Sequence, residues 1–229
     1  ADGTKVKTDF DAEGKMTYKT EEFADGTSML TTYDENGTMT NRFDAEGNSV
    51  EMTITTNDGT VRQEIVNPDG TLSRYMMEPN GTTTTTILDK DGFVIKKMQE
   101  FEDGSSTLYR VEEDGTIKEI TLDSNATVIG ESVTYTNGLT TKYEIASDGT
   151  TINSTVDADG NVLYKKELYS NGTSRTELRE SDGSSKVTLY DSKDTVTQST
   201  ITRRDGSVST SHYDADGNVT MKTDVSADG

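Results

Sequence analysis

Apolar residues along this chain do not form the stripe of an amphipathic helix. They fall in short runs of seven to nine residues in which Thr, Val, Ile, Tyr and Phe alternate partially with polar residues. Runs of that length and composition read as strands, too short for a helix with a core face. The runs are punctuated every ten to twelve residues by a Gly that follows Asp, Asn or Glu, from Asp2-Gly3 to Asp228-Gly229. Asn-Gly and Asp-Gly supply the positive φ that hairpin turns require. Two gaps in the series are filled by look-alikes, Asp123-Ser124-Asn125-Ala126 and Asp191-Ser192-Lys193-Asp194, while Gly130 alone lies off the grid. A fixed short period of this kind is the mark of one supersecondary unit copied many times. The fold class expected is all-β: about twenty short strands joined by Asp-Gly and Asn-Gly turns.

Two kinds of turn are expected. In one, an apolar residue stands four before the Gly, often in aromatic-Asp-x-x-Gly form, as at Phe10-Asp11, Tyr33-Asp34, Phe43-Asp44, Tyr213-Asp214 and, at a look-alike, Tyr190-Asp191. This predicts a three-residue loop with a type I turn and a bulge. In the other, the aromatic stands three before the Gly, as at Phe23, Phe101, Tyr135 and Tyr169. That spacing predicts a two-residue type I′ turn. Either geometry is expected to bring the aromatic across from the residue two after the Gly, often aliphatic, as at Met39, Val61, Leu72, Ile117, Val162, Val196, Val208 and Val219. That aliphatic position and the apolar position before the next Gly have opposite parity along the shorter step, so they face opposite sides of the sheet. Only 29% of residues are hydrophobic, and several segments carry Thr, Ser and charge on both faces. The expectation is a long antiparallel meander, thinly cored or a single layer.

One longer step followed by two shorter ones recurs from Gly92 to Ala126, from Ala126 to Gly160 and from Gly160 to Asp194, stacking Val94, Val128, Val162 and Val196 in one column. Such a three-segment unit equals one coil of a three-sided parallel β-solenoid, which stands as the alternative. Strand pairing distinguishes the two: a meander joins neighbouring segments, whereas a solenoid joins each segment to the one a full coil further on.

The stretch Tyr190 to Gly206, together with the aromatic-Asp-x-x-Gly turns, resembles the central hairpins of the spirochaetal outer surface protein A lipoprotein, a family with a free-standing single-layer sheet. Tyr213-Asp-Ala-Asp-Gly-Asn-Val219 is similar to the YD repeats of the RHS family, whose hairpins spiral into shells. The chain departs from both. It is acidic where the lipoprotein is Lys-rich, it has neither Cys nor Trp, and no lipid-anchor Cys is present.

Charge narrows the partners. With 42 acidic against 22 basic residues and a net charge of −20, the surface repels nucleic acid and anionic lipid. No apolar run is long enough for membrane insertion. Most carboxylates read as turn formers and a solvated face. A sharper reading of Asp157, Asp159, Asp214 and Asp216, paired two apart on bends, is calcium ligation, because hard oxygen ligands at that spacing occur in calcium loops. Asp89 and Asp91 share the spacing, but no run completes an EF-hand pattern. Catalysis has no foothold: there is no Cys, and the one His, His212, sits in a Ser/Thr-rich strand. Six Asn-x-Ser/Thr sequons, at Asn36, Asn80, Asn125, Asn153, Asn171 and Asn218, leave glycans open.

Residues 1–229 therefore read as one continuous repeat array, expected to be a segment of a longer repeat protein. The functional expectation is a structural, extracellular or cell-surface stalk, spacer or filament subunit that self-associates through strand edges with further copies or neighbouring repeats. The alternative is a surface adhesin or lectin-like module, with or without calcium. No enzyme activity and no cofactor other than calcium is expected.

Overall fold

A computed structural model describes residues 3–228; Asp2 and Gly229, which belong to the first and last marks of the series, lie outside the described residues. Twenty strands alternate with turns and no helix occurs among the described residues. They form two units. The first holds β1 (Lys5–Phe10), β2 (Met16–Glu22), β3 (Ser28–Tyr33), β4 (Gly37–Phe43), β5 (Ser49–Thr56), β6 (Val61–Val66), β7 (Leu72–Met77), β8 (Thr83–Leu88), β9 (Val94–Glu100) and β10 (Ser106–Val111), with the turn at 123–126. The second holds β11 (Ile117–Leu122), β12 (Val128–Thr134), β13 (Thr140–Ile145), β14 (Thr151–Val156), β15 (Val162–Leu168), β16 (Ser174–Arg179), β17 (Ser185–Tyr190), β18 (Val196–Thr202), β19 (Val208–Tyr213) and β20 (Val219–Val225).

Within each unit every strand pairs antiparallel with its neighbours in the chain, so the topology is a meander. No pairing joins β12 to β15 or β15 to β18, the strands of Val128, Val162 and Val196, which excludes the solenoid. No strand of a unit packs across the face of another, so each unit is a single sheet open on both faces. The consequence shows in burial. The chain exposes 14603 Å², against about 10,000 Å² for a compact monomer of this size. Among the described residues Leu88 is the only buried hydrophobic one, and the other buried positions are Thr and Ser. Ladder hydrogen bonds, cross-strand side-chain pairs and turns must therefore carry the stability that a core supplies elsewhere.

The turns share one backbone geometry rather than two. Phe23 donates its N–H to Thr27 O and Gly26 donates to Phe23 O; Asp11 with Lys15 and Gly14 with Asp11 make the same two bonds. This is the three-residue loop closed by a type I turn, with Gly in the left-handed region. The two-residue type I′ turn predicted at Phe23, Phe101, Tyr135 and Tyr169 does not form. Each of those aromatics is itself the first residue of the loop, and the residue two after the Gly pairs with the residue four before it: Ser28 with Glu22, Ser106 with Glu100. Where four before is apolar the expected pair forms, as in Phe10 with Met16, Leu88 with Val94, Tyr190 with Val196 and Tyr213 with Val219. The look-alikes keep the geometry without glycine, with Ala126 at φ 62° and Asp194 at φ 65°.

What varies is the carboxylate. Some turns begin with Asp, whose Oδ1 accepts from the backbone two and four residues on: Asp11 from Glu13 and Lys15, Asp44 from Glu46 and Asn48. Others carry Asp or Asn just before the Gly, where it accepts from the residue just after it: Asp25 from Thr27, Asn80 from Thr82. The register shifts in hairpins of the first kind, those turning at Asp11, Asp44, Asp89, Asp123, Asp157, Asp191 and Asp214. In each, one extra residue bulges from the outgoing strand, and at Thr17, Thr197 and Thr220 its hydroxyl donates to the carbonyl opposite. The longer step is thus the shorter step plus a bulge, and the three-segment period is a spacing of bulges.

One turn departs from the rule. Tyr33-Asp34 was expected to open a bulged three-residue loop, but Asp34 donates to Gly37 O across a two-residue link of Glu35 and Asn36. Neither link residue has positive φ, so this is no type I′ turn either. The turn is shortened by its neighbour: Asn57 in the β5–β6 turn donates its backbone N–H to Asn36 O and its side-chain amide to Glu35 O. Gly37 sits at φ 152°, and a Cβ there would lie 2.1 Å from Thr55 O. Gly37→Ala is therefore expected to destabilise the first unit by about 3 kcal/mol or more. Gly14→Ala, where a Cβ meets nothing within 4 Å, should cost only the left-handed strain of about 1 kcal/mol. Denaturant melts of the two variants check this ordering.

Candidate functional site

The expected calcium ligands lie in two turns, and in each the first Asp is already a hydrogen-bond acceptor. Asp157 opens the β14–β15 turn, and its Oδ1 accepts from Asp159 N at 3.0 Å and Asn161 N at 2.8 Å, while Asn161 Nδ2 donates to its Oδ2 at 3.0 Å. Asp214 repeats this in the β19–β20 turn, accepting from Asp216 N at 3.0 Å and Asn218 N at 2.8 Å. The structure keeps Asp157 with Asp159, and Asp214 with Asp216, but brings neither pair a third acidic or imidazole group. Among the described residues no cluster of three or more such groups could hold a metal ion. Asp157 and Asp214 each cap their own turn, and Asp159 and Asp216 contribute backbone N–H groups to it.

These bonds also lower carboxylate pKa values. Asp157 and Asp44 titrate below the ordinary Asp value, chiefly because an Asn side chain donates to them. Asp25, Asp103 and Asp205 are lowered mainly by the hydroxyl of the Thr or Ser two residues on. All are solvated, so the effect is local hydrogen bonding to the charged form rather than burial.

His212 is half-buried in β19, opposite Gln198 and Met221, and alternation puts Ser209 and Ser211 on the other face. Ser209 donates to Asp224 Oδ1. Nothing gathers these groups into a cleft. The tightest charged cluster lies on β15 and β16: Glu167 meets Lys165 at 2.6 Å and Arg175 at 3.4 Å, Arg175 meets Glu177 at 2.8 Å, and Tyr169 donates its hydroxyl to Glu167 at 3.0 Å. Lys165, first of all, holds the Glu167 carboxyl below its ordinary value, and partial burial with the bond to Glu167 raises Tyr169. The cluster satisfies itself and leaves no donor aimed at a ligand. No buried side-chain polar atom among the described residues lacks a partner. Of the sequon residues, Asn153 is exposed in mid-strand, whereas Asn80 and Asn171 cap their turns through Oδ1.

Shallow grooves cross the faces. One runs over β3 to β5 between Phe23, Met29, Arg42 and Glu51. Another has a cause legible in one residue: Gly130, in β12, removes a side chain between Thr121 and Glu144 where the same column carries Lys96, Tyr164 and Gln198. A Cβ at Gly130 would meet Thr121 Cβ at an ordinary 3.5 Å, with no unusual φ.

The edges are the surface that remains. Among the described residues β1 pairs with β2 alone and β20 with β19 alone. Each edge strand exposes apolar side chains, Val6 and Phe10 on β1 and Val219, Met221 and Val225 on β20, every one about half accessible. Sequence reasoning anticipated edge pairing in general but did not single out which residues of these two strands face outward, because that depends on their pairing with β2 and β19. Among the described residues no helix is long and apolar enough to cross a membrane.

No family model matches the chain. No curated protein matches it either. Among solved structures the chain is similar to a protein of unknown function from Bacteroides caccae, at 10% identity over 87% of this chain and 78% of that one, with a TM-score of 0.19. It is similar to a porin-like protein from Bacteroides uniformis ATCC 8492, at 9% identity over 97% of this chain and 92% of that one, TM-score 0.24. A third likeness is to the TcdB2-TccC3-Cdc42 structure, at 10% identity over 97% of this chain and 18% of that one, TM-score 0.20. Superposition this poor carries no argument about fold or function.

Two outcomes follow from these groups. The lowered Asp values mean that the caps contribute stability above the unfolded pKa of about 3.9 and lose it as pH falls through the folded values. Replacing Asp25, Asp103 and Asp205 by Asn keeps the acceptor, as Asn80 and Asn171 show, so the triple variant should melt near wild type at pH 7 and lose less melting temperature between pH 5 and about 2. Gly130→Thr should fill the dent and stabilise the second unit by up to about 1 kcal/mol in a urea melt, through lost chain entropy and better strand packing.

Proposed function

We propose that this chain is a structural repeat protein of the cell surface or extracellular space, a stalk, spacer or filament subunit that joins further copies through its sheet edges. The observation that carries this reading is the pair of edge strands, β1 and β20, each hydrogen-bonded on one side only and each showing half-exposed apolar side chains. An open ladder is a template for another strand. The rest of the molecule suits a material: single sheets with both faces wet, buried side-chain polar atoms of the described residues all partnered within the chain, and a net negative charge that keeps a strand-rich chain soluble.

The resemblance to outer surface protein A belongs to the same reading, since its free-standing single-layer sheet is what each unit has in outline. Net charge of −20 opposes association at low ionic strength. Sedimentation of the purified chain from micromolar to millimolar concentration, in about 0.15 M salt, should show reversible growth of species larger than the monomer, with elongated particles by electron microscopy. A single monomeric species throughout would sink the reading.

A further inference from the structure

The two edge strands carry the same five-residue pattern. β1 reads Val6-Lys7-Thr8-Asp9-Phe10 and β20 reads Met221-Lys222-Thr223-Asp224-Val225: apolar, Lys, Thr, Asp, apolar. Reversed, the pattern opposes each apolar residue to an apolar one and each Lys to an Asp. It is complementary to itself in the antiparallel sense.

Backbone phase decides whether this complementarity can be used. Asp11 donates its N–H to Lys15 O, and Asp9 O accepts from Thr17 Oγ1 across the first hairpin, so the odd-numbered residues of β1 face β2. Val6, Thr8 and Phe10 therefore aim their N–H and C=O groups away from the sheet. In β20, His212 O accepts from Thr220 Oγ1 and His212 pairs with Met221, so Met221, Thr223 and Val225 face β19. Lys222 and Asp224 then aim their backbone outward. An added strand can close its ladder only in registers that oppose outward residues to outward residues. Pairing centred on Thr8 does this for β1, and pairing centred on Thr223 does it for β20.

We infer that each edge pairs with the same edge of a second copy about a two-fold axis, β1 on β1 through Thr8 and β20 on β20 through Thr223. This rests on the edge-assembly reading proposed above and names its partner and register. At the β1 junction Val6 lies opposite Phe10 of the second copy on one face, twice, and Lys7 lies opposite Asp9 of the second copy on the other, twice. At the β20 junction Met221 opposes Val225 and Lys222 opposes Asp224 in the same way. Lysines on an edge strand ordinarily guard it against pairing. Here each guard meets a carboxylate, so it selects one register instead of excluding all.

The head-to-tail junction of β20 on β1 is less complementary. Phase sets Lys222 and Asp224 against Val6, Thr8 or Phe10, as in Asp224 opposite Val6 with Lys222 opposite Thr8, so no charge meets its opposite directly and the apolar rows fall on different faces. Each copy has two such edges, so alternating β1 and β20 junctions link copies in series.

The chain has no Cys, so single substitutions report the register directly. Directly opposed residues have Cα atoms about 4.5 to 5.5 Å apart, within disulfide range. Thr8→Cys and Thr223→Cys should each give a covalent dimer under mild oxidation, while Lys5→Cys, far from its own counterpart across the axis, should not. Lys7→Asp with Lys222→Asp should raise the concentration needed for assembly at least tenfold, and adding Asp9→Lys with Asp224→Lys should restore it. If Thr8→Cys cross-links only when mixed with Lys222→Cys, the junction is head-to-tail; the homotypic inference then falls while edge assembly stands. If no cross-link forms and sedimentation shows only monomer, edge assembly itself falls.

Discussion

The structure depends on a hydrogen bond made inside each turn, from a backbone N–H to the carboxylate or amide oxygen of an Asp or Asn a few residues away. In a protein with a core, a turn connects elements that packing already holds. Here Leu88 is the only buried hydrophobic residue among those described, and packing cannot decide where a strand ends. The turn must do so by itself. A residue in the left-handed region reverses the chain, the acidic side chain satisfies the amides that reversal leaves without a ladder partner, and the next strand starts in register. With Asp opening the loop, the same device also admits a bulge. With Asp before the glycine, it does not. Two placements of one carboxylate thus give two strand lengths on one backbone geometry.

Between the turns, stability comes from pairs rather than from an interior. Aliphatic and aromatic residues meet across the hairpin ends, threonine hydroxyls meet across mid-strand, as Thr31 does with Thr40 and Thr200 with Thr210, and Glu167 gathers Lys165 and Arg175 over β15 and β16. Each is worth a fraction of a kilocalorie to about one. Such a sheet gains from every strand it adds and has no closed interior to complete. Growth at the edges continues the interaction that holds the middle together, which is why the edge strands, rather than any groove on the faces, carry the functional reading.

Much of this was legible along the chain. The Gly marks that follow Asp, Asn or Glu, with the look-alikes ending at Ala126 and Asp194, located the turns between the described strands, and their spacing set the strand count. The candidate site was legible only in part. Asp157 and Asp214 stood out by spacing, and the structure shows what spacing did not, that each accepts from the backbone N–H of the Asn four residues on, Asn161 and Asn218. The longer steps were visible but did not show whether an extra residue lengthens a corner or bulges from a ladder. Only the opposite strand distinguishes these, since a bulge is defined by having no partner there.

Local chemistry, then, was determined by the sequence itself: where the chain reverses, how long each strand is, and that 29% hydrophobic residues spread over both faces cannot build an interior. Those properties depend on residues within one turn or strand of each other. Pairing partners, the common geometry behind two turn motifs, the crowding of Gly37 by Thr55 and the outward phase of Thr8 were decided by the tertiary structure. They depend on which strand lies alongside, at a distance along the chain that no local preference encodes.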